Sequence, residues 1–125
     1  MTQVTSQEIA QFRSQLADNV TAMRALDLIE DCDGDLEDAA MTLAIRIGQQ
    51  PQINNAEWLD ALARRWRTII CNQNFRSDLQ NDSIKVMVEY LENIDEFPKV
   101  LATPTIMYVI KTGIDNFCKT FDSLN

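Results

Sequence analysis

Residues 21–47, TAMRALDLIEDCDGDLEDAAMTLAIRI, decide the fold. Ala22, Ala25, Leu26, Leu28, Ile29 and Cys32 recur at helical spacing and give a broad apolar stripe. Asp33-Gly34 stops that helix, because glycine accepts the left-handed conformation found just past a helix C-terminus. Asp35 starts the next one. Its carboxylate can accept the backbone N–H of Asp38, and Glu37 and Asp38 place negative charge at the positive end of the helix dipole. Ala39, Ala40, Leu43, Ala44 and Ile47 form the inner face, and Gly48 ends the segment. The stretch predicts two helices that approach closely across a tight turn.

Working towards the N-terminus, Ile9, Phe12 and Leu16 mark a further helix over about 6–17, with Ser6 as its expected cap. Thr21 is the expected cap of the helix that follows the polar break Asp18-Asn19. Towards the C-terminus, residues 49–55 are polar, contain Pro51 and predict a linker. Asn55 is expected to cap a long helix to about Cys71, with Trp58, Leu59, Leu62, Ala63, Trp66, Ile69 and Ile70 inward. After a polar loop at 72–74, a helix starting near Ser77 or Asp82 and ending near Asn93 would bury Ile84, Met87, Val88 and Leu91. A last helix, capped by Thr103 with Pro104 in its first turn, would run to about Asp122. No run alternates as a strand would. The expectation is an all-α protein of about six helices.

Thr21, Ala25, Leu28, Ile29, Cys32-Asp33-Gly34-Asp35-Leu36, Ala39 and Leu43 together resemble the second and third helices of the ubiquitin-associated (UBA) domain. The resemblance covers roughly residues 6–48. It implies a UBA-like three-helix unit at 1–48, joined through 49–55 to a helical bundle at 56–125, or fused with it into one continuous domain. UBA domains that grip ubiquitin carry a Met-Gly-Phe type of loop before the second helix. Here that loop is Asp18-Asn19-Val20, which keeps only the final apolar position, so the resemblance implies the scaffold rather than that ligand.

Composition narrows the chemistry. The chain of 125 residues carries a formal charge of −8, with nine acids and three bases in residues 1–50. Such a surface repels phosphate backbones and anionic membranes, so neither nucleic acid nor membrane is an expected partner. Histidine is absent. Ser-His-Asp, Cys-His and His-zinc schemes are thereby excluded, and only carboxylate, lysine, tyrosine or substrate-assisted chemistry remains. Cys32, Cys71 and Cys118 are odd in number and widely spaced, and they read as three buried thiols in a reducing compartment. With no signal-peptide pattern and no long apolar run, the expected location is the cytoplasm.

Asp31 to Asp38 suggests a calcium loop, yet the required glycine and the bidentate glutamate fall on Leu36 and Thr42, so no metal is expected there. Glu89, Glu92, Asp95 and Glu96 read as surface carboxylates, and no cofactor is implied. Arg64, Arg65 and Arg67 are the one concentrated positive feature. The expectation is a non-enzymatic module that binds or regulates another protein through Asp18, Asn19, Val20, the start of the third helix, and Arg64, Arg65 and Arg67. The alternatives are a homodimer or structural subunit of a larger assembly and, further off, a small carboxylate or metal enzyme.

Overall fold

A computed structural model describes residues 2–51 and 54–123, and of Asn55 the backbone alone. Among them the chain is helical throughout, in ten α-helices and one 3-10 turn rather than about six helices. Three come first: α1 (Ser6–Gln15), α2 (Val20–Asp31) and α3 (Leu36–Arg46). There follow α4 (Asn55–Arg65), α5 (Arg67–Ile70), α6 (Gln73–Gln80), α7 (Lys85–Glu92) and the 3-10 turn η1 (Lys99–Leu101). The chain closes with α8 (Ala102–Thr112), α9 (Ile114–Phe117) and α10 (Lys119–Ser123).

The higher count comes from breaks inside segments expected to be continuous. The segment running to Asn93 is split because Asp82 is left-handed, with φ of 58°. Gln15 of α1 holds that turn: its side chain donates to the Asp82 carbonyl at 2.8 Å and accepts the Ile84 N–H at 2.7 Å. One amide thus replaces two backbone partners that a continuous helix would have provided. The last segment breaks at Gly113, where φ is 93°, and again at Cys118.

Several caps also shift. Thr5, not Ser6, caps α1, because Thr5 stands three residues before Glu8 and the pair completes a reciprocal capping box. Asn19 replaces Thr21 as the cap of α2, accepting the Ala22 N–H at 2.9 Å. Asn54 replaces Asn55 at α4, and the expected polar loop at 72–74 is the Asn72 cap and first turn of α6. Thr103 caps nothing. The η1 turn feeds helical geometry straight into α8, so the Thr103 hydroxyl is buried inside the first turn without a hydrogen-bond partner. Of the expected 49–55 linker, Gln52 and Ile53 lie outside the described residues.

One apolar cluster runs from Val4 to Cys118. Its centre is α8, against which α2, α3, α4 and α7 all pack. Ala39, Ala40 and Ala44 of α3 and Ala102 of α8 are fully covered, and small side chains let these backbones draw near. The turn between α2 and α3 is covered as well. Thr2 to Val4 lie alongside it, with Val4 N–H donating to the Gly34 carbonyl and Leu36 N–H donating to the Thr2 carbonyl, both at 3.0 Å. Glu37, only 3% exposed, accepts the Thr2 N–H and hydroxyl, each at 2.7 Å.

The cysteines correct the expectation of three buried thiols. Cys71 and Cys118 are joined in a disulfide that ties the end of α5 to the junction of α9 and α10. Cys32 is a free thiol and is half-buried. Widely spaced cysteines carry no pairing information in sequence, so only the packing of α9 against α6 reveals the bond.

Candidate interaction surface

The loop 18–20 and the arginines attach to different neighbours. Asn19 is committed to the fold at both ends of its amide: besides capping α2, it donates to Glu92 Oε1 at 2.6 Å and fastens α2 to the end of α7. Burial pushes the Glu92 carboxyl above its ordinary value, against the Asn19 hydrogen bond, and its second oxygen has no partner. Val20 remains 65% exposed, and Asp18 is also exposed. The start of α3 lies under residues 2–4.

Arg64 is half-buried and tied to the fold. Its Nε donates to the Asp60 carboxylate at 3.0 Å, and its guanidinium lies 5.1 Å over the Phe117 ring. Asp60 also accepts the Tyr108 hydroxyl at 2.5 Å, linking α4 to α8. Burial, and then the negative charge and hydrogen bonding of Asp60, push the Tyr108 phenol up to about 12. A phenol held there stays protonated at neutral pH and acts as a strut between helices, not as a base. Arg65 and Arg67 differ from Arg64: among the described residues neither has an acidic partner. Arg65 is exposed, and Arg67 is half-buried.

Arg65 stands on the rim of a cleft of about 220 Å³ between α4 and the turn before η1. Trp58, Leu62 and Trp66 from α4 and its end line it together with Glu96 and Pro98. Trp66 meets Phe97 edge to face at 5.3 Å, which fixes its ring. The helical spacing places both tryptophans inward. They pack on the core with one face and line this cleft with another. The signal was present in the sequence. Leu59, Ala63 and Ile70 complete the buried stripe, so Trp58, Leu62 and Trp66, each four residues from the next, form a second stripe beside it.

Other candidate chemistry is sparse among the described residues. No group of three or more Cys, Asp or Glu residues is placed to hold a metal ion, and no helix is long and apolar enough to cross a membrane. At Asp31–Asp38 the Asp35 carboxylate is spent on the Asp38 N–H as a helix cap. Burial and the surrounding Asp38, Asp35, Asp31 and Asp33 push the Cys32 thiol up, which keeps it protonated and unreactive. No family model, curated protein or solved structure matches the chain.

Proposed function

We propose that this protein is a non-catalytic interaction module that docks a partner protein in the Trp58–Trp66 cleft. The observation that carries the reading is an open aromatic wall beside Arg65, which has no acidic partner among the described residues. Tryptophan and arginine are the side chains that most often dominate binding energy at interfaces. The partner segment is one that presents an apolar side chain to the tryptophans and carboxylates to Arg65 and Arg67. An acidic protein recruiting an acidic segment has to overcome its own field, so the attraction is local and weakens with salt. UBA-like architecture for residues 1–48 is consistent with this role as a scaffold, since Asn19 is taken up by capping and by Glu92.

The test is affinity capture from native lysate with wild type, Trp58→Ala and Arg65→Glu in parallel, each checked for helicity by circular dichroism. The expected result is one partner retained by wild type and lost by both variants. Arg65 is exposed, so its reversal leaves the fold intact. A partner retained equally by all three places the contact elsewhere.

A second reading is self-association. Ile45 and Ile47, at the end of α3, are 60% and 46% exposed, and Val86 and Tyr90 share an outer face of α7. Light scattering that shows a monomer at high concentration removes it.

A further inference from the structure

We propose that the Cys71–Cys118 disulfide is a redox-operated clasp: it holds the C-terminal helices α9 and α10 against α5 and α6, and a dithiol reductant releases them. Three features of the fold make this segment separable. Gly113 precedes it with a φ of 93° and with open space around its Cα, the nearest approach being Asn116 Cβ at 3.9 Å from an added Cβ. The two helices have four and five residues, too few to persist without docking. The polar ties beyond Gly113 converge on one short stretch: Asp122 accepts from Arg76 at 2.9 Å, Asp115 lies 3.6 Å from Arg76, and Asp115 accepts from Gln80 at 3.0 Å.

Asp115 is 71% exposed, so its tie contributes little, whereas Arg76 is only 11% exposed, holds Asp122 through two hydrogen bonds and donates to the Cys71 carbonyl at 3.0 Å. Docking of the segment therefore rests on the covalent bond, the Arg76–Asp122 pair, the burial of Ile114 and Phe117, and Phe121 packed against the core. Both sulfurs are covered, but Cys71 borders a cleft of about 470 Å³ with Thr68, Asn72, Gln73, Phe121 and Asp122. The cleft lies where the C-terminal helices meet the start of α6, so a small outward movement of α10 uncovers Cys71 first.

The chemistry is thiol–disulfide exchange. A thiolate of the reductant attacks Cys71 Sγ, the Sγ–Sγ bond breaks, and Cys118 leaves as a thiolate that takes up a proton. The reductant's second thiol then displaces Cys71 from the mixed disulfide. Two electrons and two protons have passed to the protein, and the reductant is left as a disulfide. Release withdraws Phe117 from Arg64 and so loosens the arginine-bearing helix from behind.

Hydrogen exchange read by mass spectrometry on the full chain tests the clasp. Protein as purified, protein in dithiothreitol, and protein re-oxidised with oxidised glutathione are compared. Amides of residues 114–123 are expected to gain at least about tenfold more in exchange rate on reduction than those of α2, α3 and α8, and to recover on re-oxidation. Unchanged exchange at 114–123 overturns the proposal, as does a gain of the same size in α2, α3 and α8, which would make the bond a general staple. Thiol titration of denatured, unreduced protein is expected to find Cys32 alone, and three thiols would overturn it too. Because these measurements use the natural chain, failure of a Cys118→Ser variant to fold does not prevent the test.

Discussion

Gly34 meets two demands at once: its φ is 82°, and a Cβ there would meet the Val4 carbonyl oxygen at 2.2 Å. Gly48 has the same backbone conformation, with φ of 84°, and nothing within 4 Å. The pair separates strain from contact. Gly48→Ala is expected to lower unfolding stability by about 1–2 kcal/mol, the cost of the left-handed conformation alone. Gly34→Ala should cost clearly more in urea denaturation, since residues 2–4 must also leave the turn. Glu92 gives a pH-dependent case. Its carboxyl is raised by burial, so its contribution to stability is fully present below the unfolded value and is lost as pH rises through the folded one. Glu92→Gln keeps an oxygen for Asn19 without the charge. It should therefore stabilise the protein at pH 7 and have little effect near pH 4. Equal effects at both values would show that the buried charge is not the cause.

At the scale of elements, the sequence announced most helices but not their interruptions. The stretch 21–47 was legible because periodicity, glycine and the Asp35 cap agree with one another, and the structure places the turn at Asp33-Gly34 and the cap at Asp35. Asp82 and Gly113 were harder to read. A left-handed aspartate is stabilised by a glutamine 67 residues away, and no local pattern reveals such a partner. The tryptophan cleft was legible in principle, since the apolar arc of α4 is wider than one buried stripe requires. The disulfide was not, and its energetic weight is large. Closing a chain segment with a sequence separation of 47 restricts the unfolded state by about 4 kcal/mol in the chain-entropy model. Reduction, or Cys71→Ser with Cys118→Ser, should lower stability by up to that amount and Tm by about 10–20 °C. A Tm unmoved by reductant would show that the bond is not formed in solution.

Across the whole molecule, α8 packs on the N-terminal helices and on those that follow, α3 packs directly on α4, and one apolar cluster spans both parts. Unfolding should accordingly be a single transition. Helicity at 222 nm and tryptophan emission, which reports only on α4 and its continuation, should give coincident urea curves. Two separated transitions would mean that residues 1–48 melt independently of the helices that follow. The proposed contact through the Trp58–Trp66 cleft rests on an open aromatic wall beside Arg65, which has no acidic partner among the described residues. The most direct measurement of that idea is site-specific photo-crosslinking in the native cell, with a photoreactive amino acid in place of Arg65 and, as control, in place of Asp27 on the exposed face of α2. A discrete covalent adduct with one protein is expected from position 65 and none from position 27. No adduct at either position, or the same adducts at both, would contradict it.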